Sequence, residues 1–206
     1  MISTLHYITQ DHLPLPHAAQ AQLALQGGAK WVQFRSKELN PSELKKEALV
    51  IRELCKRYQA ILILNDNWQL AIELDLDGVH VGLTDTPIKE IRKHSDFIIG
   101  GTANTFEDIQ LHRTSGANYV GLGPYRHTKT KANLSPTLAI EGFKKIITNC
   151  KKRQLEIPII AIGGIHLSDI PLLKSVGVHG IAIASQINQA TSPVISTTQF
   201  IENLAK

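Results

Sequence analysis

Three polar side chains occupy alternate positions in the short stretch of residues 31–37. The aromatic and β-branched residues there indicate a strand, and side chains on a strand point alternately to its two faces. Gln33, Arg35 and Lys37 therefore share one face, and two apolar residues occupy the other. An unpaired charge is costly on a buried face. This face is either a polar fringe in solvent or the wall of a cavity that receives an anion.

Two carboxylates follow later runs of the same kind. Asp66 comes after Ile61–Leu64, and Asp85 comes after Gly78–His80. Either residue alone is most simply a helix cap, because caps are far commoner than metal ligands. Two acids at successive strand ends, facing a basic set, instead suit Mg²⁺, which takes one or two carboxylates and completes its shell with water and substrate phosphate. Among the nine histidines, His80 is expected to pack in the core, and no His-x-x-x-His pair indicates a transition metal.

The elements that would position these residues alternate between β-rich runs and helical patterns along the chain. Predicted strands cover Leu5–Thr9, Trp31–Arg35, Ile61–Leu64, Gly78–His80, Phe97–Gly101, Tyr119–Gly121, Ile159–Ile162 and Gly180–Ala184. Predicted helices cover His17–Gln26, Pro41–Arg57, Trp68–Leu74, Pro87–His94, Phe106–Ser115, Leu138–Lys152, Ser168–Val176 and Ser196–Ala205. Asn40 and Glu43 have the spacing of a capping box at the start of the second helix.

Eight strand–helix pairs can close into a parallel barrel. The continuous apolar runs Ile61–Leu64 and Ile159–Ile162 are typical of strands buried on both faces. The rival architecture is an open doubly wound sheet, but the eight units show no topological break. We therefore predict an α/β fold, a (β/α)₈ TIM barrel, as a single domain over residues 1–206.

The polar residues that follow the strands of such a barrel meet at one mouth. Gly163 and Gly164 follow the seventh strand, where a tight turn would explain them. Loops after strands seven and eight are also the usual phosphate site of barrels, and glycine lets backbone N–H groups approach an anion. Thr128, Thr130 and Lys131 lie in a long loop after the sixth strand. They read either as ordinary solvated residues or as part of the same anion site.

Composition suits phosphorylated substrates and shows neither a dense nucleic-acid patch nor a membrane span. The formal net charge of +4 is a mild excess that suits such substrates. The densest basic run, Lys151–Arg153, complements a helix dipole, and no apolar run approaches a membrane span. Cys55 and Cys150 are far apart and are expected to be free thiols in a soluble cytoplasmic protein. The sequence carries no signal on oligomeric state.

Five motifs, in order along nearly the whole chain, resemble the thiamine phosphate synthase family. They are Gln33-x-Arg35-x-Lys37, Asn65-Asp66, Gly78-Val79-His80-x-Gly82-x-x-Asp85, Gly123-Pro124 with Thr128-x-Thr130-Lys131, and Ala161-Ile162-Gly163-Gly164-Ile165. Any one of these motifs is weak evidence. Five of them in order with matching spacing are a strong resemblance.

The resemblance implies a (β/α)₈ transferase that joins a hydroxymethylpyrimidine diphosphate to a hydroxyethylthiazole phosphate. Pyrophosphate would leave first, in a Mg²⁺-assisted dissociative substitution that forms a carbon–nitrogen bond. The residues implied for the pyrimidine diphosphate are Gln33, Arg35, Lys37, Asn65, Thr102 and Lys131. Those implied for the thiazole phosphate are Thr128, Thr130, Gly164, Ala184 and Ser185. Asp66 and Asp85 would hold Mg²⁺, and Arg35, Lys37 and Lys131 would stabilise the leaving charge.

Four positions depart from the pattern of the family that the chain resembles. Gln10, Leu83, Thr102 and Ala139 stand where the family usually has Asp, Gln, Ser and Gly. Thr102 keeps the hydroxyl, so the implied pyrimidine contact is retained. None of the four departures removes a residue implied for the diphosphate or the metal.

Two other functions are compatible with a barrel that has a phosphate loop. The related thiazole tautomerase branch typically has a catalytic histidine where this chain has Pro124, and it lacks the paired acids. A non-catalytic barrel that binds a phosphorylated ligand for regulation would need the loop but not Asp66 and Asp85. Substitution of Asp66 and Asp85 therefore distinguishes the synthase from both alternatives.

Overall fold

A computed structural model of the chain describes residues 1–127 and 136–206. Eight parallel strands pair in chain order, and the eighth pairs with the first, so the sheet is a closed barrel. The strands are β1 Leu5–Ile8, β2 Trp31–Phe34, β3 Ile61–Asn65, β4 Gly78–Val81, β5 Ile98–Ala103, β6 Tyr119–Leu122, β7 Ile159–Ile162 and β8 Gly180–Ile183. The predicted (β/α)₈ barrel is confirmed.

Helices follow the strands and surround the barrel. They are α1 His17–Gln26, α2 Pro41–Tyr58, α3 Trp68–Glu73, α4 Ile88–Ile91, α5 Phe106–Thr114, α6 Ala139–Lys152, α7 Ile170–Val176, α8 Ser185–Asn188 and α9 Pro193–Ala205. A short 3₁₀ turn, Leu167–Asp169, precedes α7. The arrangement leaves the loops after each strand together at one end of the barrel, which is where chemistry occurs in this architecture.

Alternation along β2 separates two apolar layers. Trp31 belongs to a small cluster in the barrel interior with residues such as Ile63 and Tyr119. Val32 and Phe34 point the other way, into the larger cluster between the strands and the helices. Gly100 makes room for the interior layer, because a Cβ there would lie 2.1 Å from Cζ of Tyr119.

Local signals explain several helix boundaries. The capping box predicted for α2 is present: the Asn40 side chain accepts from the N–H groups of Ser42 and Glu43, and Glu43 accepts from the Asn40 N–H. The helix α9 begins at Pro193, three residues before the prediction. Ser192 caps it there by accepting a hydrogen bond from the Ile195 N–H, and proline is favoured in the first turn.

Other predicted bounds were wrong by a few residues. Strand β2 ends at Phe34, so Arg35 lies beyond the strand. The helix α4 covers only Ile88–Ile91, and the short helix α8 was not predicted. Four-residue helices carry too little periodicity to be recognised in a sequence.

Cys55 and Cys150 are free and buried, as the sequence predicted. Burial raises the pKa of the Cys55 thiol to about 12 and also raises the pKa of Cys150. Within the described ranges, none of the helices has the length and apolar character needed to cross a membrane.

Candidate active site

A cavity opens at the carboxyl ends of the strands. Side chains and backbone from the ends of β1, β2 and β4 to β8 line it. Five residues predicted for substrate binding are among its lining residues: Arg35, Thr102, Gly164, Ala184 and Ser185. The cavity therefore brings together one of the predicted diphosphate cations and the predicted phosphate loop.

Lys37, Asp66 and Asp85 form a charged cluster at the same end of the barrel. The Lys37 ammonium donates to Oδ2 of Asp66, and the carboxylate of Asp85 lies beside that of Asp66. The Asp66 side chain is 26% exposed, against 54% for Lys37. Burial raises the pKa of Asp66, the neighbouring Asp85 raises it further, and Lys37 opposes both effects.

The backbone aims Asp66 toward this cluster. Asp66 has a φ of 62°, in the left-handed region that Asp tolerates better than most residues. Its N–H donates to the His80 carbonyl at 2.8 Å. The reading of Asp66 as a helix cap is wrong, since the side chain that caps α3 is Asn67, which accepts from the Leu70 N–H.

Asp85 is held by its own loop. Its Oδ2 accepts from the Gly82 N–H at 2.7 Å. A Cβ at Gly82 would lie 2.9 Å from that oxygen, so only glycine allows the contact without a shift. The loop therefore fixes the second carboxylate against the first.

The acid pair fits Mg²⁺. Burial is the main cause of the raised pKa of Asp66, and the nearby carboxylate of Asp85 adds to it. A divalent cation held by both acids would relieve their mutual repulsion. Among residues 1–127 and 136–206, no three His, Cys, Asp or Glu side chains cluster as a metal site. Mg²⁺ needs only one or two protein carboxylates when substrate phosphate and water supply the rest.

A hydrogen-bonded chain runs through the floor of the cavity. Gln33 is buried and bonds to the Tyr119 hydroxyl, which lies 3.1 Å from Nδ1 of His80. Nε2 of His80 lies 3.1 Å from the Thr102 hydroxyl. The prediction that His80 packs in the core is confirmed, and its ring orients Thr102, which lines the cavity. Asn65 pairs with His80 at the end of β3 and is half-buried.

Two glycines shape the loop after β7. Gly163 and Gly164 have φ values of 100° and 63°. A Cβ at Gly163 would lie 2.7 Å from Cβ of Pro124, and one at Gly164 would lie 2.9 Å from Cβ of Arg126. Both the backbone conformation and the close approach of the neighbouring loop therefore require glycine.

Arg126 joins the loop after β6 to the loop after β7. No local sequence pattern predicts this role. Its guanidinium donates to the Gly164 carbonyl at 3.0 Å and to both carboxylate oxygens of Asp169, one of them at 2.6 Å. The Arg126 guanidinium lowers the pKa of Asp169.

Asn104 was also missed; it lines the cavity and donates to the Gly123 carbonyl. The partners of both residues are far away in the sequence, so no local pattern reveals them.

The remaining predicted site residues are Thr128, Thr130 and Lys131. They lie outside the described residues.

A family model described as thiamine monophosphate synthase matches residues 5–187. The chain belongs to the thiamine monophosphate synthase family. A thiamine-phosphate synthase of Bacteroides fragilis is 46% identical over 200 residues, which cover 96% of this chain and 98% of the relative. That of Flavobacterium johnsoniae is 42% identical over 210 residues, with 99% and 97% covered.

Solved structures agree with this membership in the thiamine monophosphate synthase family. The thiamine phosphate pyrophosphorylase from Pyrococcus furiosus superposes with a TM-score of 0.87 at 28% identity, covering 98% of this chain and 95% of that one. The pyrophosphorylase from Bacteroides thetaiotaomicron has a TM-score of 0.69 at 15% identity, a likeness that concerns the fold alone.

Proposed function

We propose that this chain is a thiamine phosphate synthase. It condenses 4-amino-2-methyl-5-hydroxymethylpyrimidine diphosphate with 4-methyl-5-(2-hydroxyethyl)thiazole phosphate and releases pyrophosphate. The observation that carries the proposal is the cluster of Lys37, Asp66 and Asp85 beside a cavity lined by Arg35 and Gly164. Family membership supports the same reaction.

The protein's part in the first step is to stabilise the leaving group. Pyrophosphate departs slowly unless its growing negative charge is neutralised, and preorganised cations do this best in a site that excludes water. Arg35 and Lys37 would bind the diphosphate oxygens, joined by Lys131. Asp66 and Asp85 would hold Mg²⁺, which when bound would supply further neutralisation of the leaving charge.

The second step requires positioning more than chemistry. The electron-rich aminopyrimidine bears the cation left by pyrophosphate departure, and the thiazole nitrogen then attacks its methylene carbon. Gln33 and Thr102, linked through Tyr119 and His80, would hold the pyrimidine ring. Orienting two substrates in this way is worth about 7–11 kcal/mol at most.

The phosphate of the thiazole would sit at the loops after β7 and β8. Gly164, Ala184 and Ser185 line this end of the cavity, and the left-handed backbone at Gly164 is available only to a residue without a Cβ at this close approach. Thr128 and Thr130 are the proposed hydroxyl donors. The two phosphorylated substrates would thus bind at the same end of the barrel, each held by different loops.

The direct test incubates the protein with both substrates and Mg²⁺ and measures thiamine phosphate and pyrophosphate. We expect equal amounts of the two products, and none of either when Mg²⁺ is removed with a chelator. Isomerisation of a thiazole substrate without pyrophosphate release would instead support the tautomerase. That branch typically carries a histidine at the position of Pro124, where Pro124 here lines the cavity.

Calorimetry separates the synthase from a non-catalytic binding protein. We expect the pyrimidine diphosphate to bind more tightly with Mg²⁺ than without it, and the Asp85→Asn variant to lose that difference. If the affinity for the pyrimidine diphosphate depends on neither Mg²⁺ nor the Asp85→Asn substitution, the result would support a non-catalytic regulatory barrel. The matched control is Asp96→Asn, an exposed aspartate outside the cavity.

The proposal extends to the cellular compartment of the protein and to its binding partners. Buried free thiols suit the reducing cytoplasm. The partners we propose are the two small phosphorylated substrates, with neither nucleic acid nor membrane involved.

A further inference from the structure

The two cationic side chains proposed to bind the diphosphate, Arg35 and Lys37, lie on a segment that the strand pairing of the barrel does not hold in place. The strand β2 ends at Phe34, and α2 begins only at Pro41. Arg35 and Lys37 therefore lie beyond the β1–β2 ladder, whose last backbone bond runs from the Thr9 N–H to the Gln33 carbonyl at 3.0 Å. Unless other groups form hydrogen bonds with its backbone, this segment has no fixed conformation.

The carboxylate of Asp11 supplies those missing bonds. Its Oδ2 accepts from the Lys37 N–H at 2.9 Å. Its Oδ1 accepts from the Ser36 hydroxyl and from Nε2 of His17 at 3.2 Å. The Asp11 side chain is only 10% exposed. Three donors occupy most of the roughly four acceptor positions of the two oxygens, so we assign this carboxylate no metal or substrate contact.

Thr9 holds the adjoining residue in the same way. Its hydroxyl oxygen accepts from the Arg35 N–H at 3.1 Å and lies 2.9 Å from Nδ1 of His17. Because Asp11 can only accept, Nε2 of His17 carries the proton toward it. Nδ1 of the neutral ring then accepts from the Thr9 hydroxyl. Two side chains of the β1–α1 connection, tied together by one imidazole, therefore hold the backbone N–H groups of Arg35 and Lys37 and the hydroxyl of Ser36.

We propose that Asp11 is a positioning residue for the diphosphate end of the site, holding Ser36 by its hydroxyl and Lys37 by its backbone N–H so that the Lys37 ammonium reaches Asp66. The inference rests on the proposed function, since it concerns how that site is assembled. It assigns no contact with substrate to Asp11. Its effect must appear in the handling of diphosphate and Mg²⁺ and not in the handling of the thiazole phosphate.

The test compares Asp11→Ala and Asp11→Asn with the wild-type protein. Calorimetry with inorganic pyrophosphate and Mg²⁺ gives binding directly, without any turnover. Steady-state kinetics give kcat and KM for each substrate. For Asp11→Ala we expect binding of Mg²⁺–pyrophosphate to weaken about tenfold and KM for the pyrimidine diphosphate to rise about tenfold, because small misplacements of binding groups have effects of this size or larger. KM for the thiazole phosphate should stay within about twofold.

Asp11→Asn keeps the shape and one acceptor, so we expect a smaller loss in the same direction. This isosteric variant also decides the matter if Asp11→Ala does not fold. The control is Glu43→Ala, which removes a carboxylate that accepts a backbone N–H of the same connection, that of Asn40, at 3.1 Å. Glu43→Ala should lower stability and leave pyrophosphate binding unchanged.

The outcomes separate this inference from the function on which it rests. Wild-type-like pyrophosphate binding in the folded Asp11 variants would overturn the positioning role, even if the wild-type protein forms thiamine phosphate. Equal losses for both substrates would also overturn it, because they indicate a general effect on the fold. A wild-type protein that forms no thiamine phosphate, but whose pyrophosphate binding depends on Asp11, would overturn the proposed function alone.

Discussion

At the scale of single residues, the charged cluster places the Lys37 ammonium on Asp66 and the carboxylate of Asp85 beside it. The sequence predicted that Lys37, Asp66 and Asp85 would lie at strand ends, because the period of a strand and the direction of parallel strands fix that much. It did not predict that Lys37 would pair with Asp66 or that Asp66 would adopt a left-handed backbone. Those features depend on loops from three different strands.

Ala139 gives a residue-scale prediction about stability. It has a φ of 46°, which costs an L-residue about 1–2 kcal/mol. Replacing it by glycine relieves the strain but adds about 0.5–1 kcal/mol of backbone entropy cost. We expect Ala139→Gly to raise the free energy of unfolding by up to about 1 kcal/mol, measured by urea denaturation.

The control for that measurement is Ala18→Gly. Ala18 lies inside α1, where glycine is less favourable than alanine by about 1 kcal/mol. The two glycine substitutions should therefore have opposite signs. A loss of stability in both would show that position 139 is not strained.

Asp169 gives a prediction about pH. Arg126 lowers the pKa of this carboxyl from its ordinary value of 3.8, against the opposing effect of burial. Its contribution to stability is therefore complete above about pH 4 and is lost as the pH falls through the lowered folded-state value. We expect Asp169→Asn to be less stable than wild type at pH 7. The difference should shrink below pH 3.8, as followed by urea unfolding at several pH values; a difference that does not vary with pH would contradict the assignment.

At the scale of elements, the loops after the strands carry most of what the sequence could not reveal. The glycine pair after β7 was predicted as a turn or a phosphate loop; its left-handed backbone confirms the turn, and the phosphate role stays a prediction. The clamp between Arg126 and Asp169 was not predicted, because its members are separated by 43 residues. A local pattern identifies an element, whereas contacts between loops need the folded barrel.

The loop after β7 can be tested with Gly164→Ala. The added Cβ would lie 2.9 Å from Cβ of Arg126 at a backbone φ of 63°, so the loop must shift. We expect KM for the thiazole phosphate to rise at least about tenfold, because a displacement on the order of 1 Å has effects of this size. Steady-state kinetics with each substrate varied in turn would measure it.

Gly116→Ala is the matched control for the loop. Gly116 also has a left-handed backbone, with a φ of 93°, but its nearest neighbour is Nε of Arg92 at 3.4 Å, and it does not line the cavity. Both variants should lose about 1–2 kcal/mol of stability. Only Gly164→Ala should change KM, and an equal change in both would refute the phosphate role of the loop.

At the scale of the whole molecule, the barrel was the most predictable feature. Eight apolar runs alternating with helical patterns allow few topologies, and parallel strands connect through right-handed crossovers. The interior layer was less predictable. The sequence predicted that His80 lies in the core, but not its contact with Tyr119 or the contact of Tyr119 with Trp31, which join strands far apart in sequence. The period of the pattern fixes the faces, but not which residues meet.

Ligand binding should stabilise the whole molecule. If Mg²⁺ and pyrophosphate share one site at the charged cluster, together they should raise the melting temperature more than the sum of either alone. At a ligand concentration 100 times the Kd, binding contributes about 2.7 kcal/mol, or roughly 5–10 °C for a chain of this size. Scanning calorimetry would measure the shift, and Asp85→Asn should abolish the synergy.

The central claim is that a cation from the end of β2 and an acid from the end of β3 act together on one leaving group. The most direct measurement is the rate of pyrophosphate release, with both substrates and Mg²⁺, in Lys37→Ala, Asp66→Ala and the double variant. We predict that each single variant slows release by about 100-fold or more with its circular dichroism unchanged, and that the double variant is much less impaired than the product of the two losses, because residues that act as a unit are not additive. Wild-type rates in either single variant, or fully multiplicative losses in the double, would contradict the account.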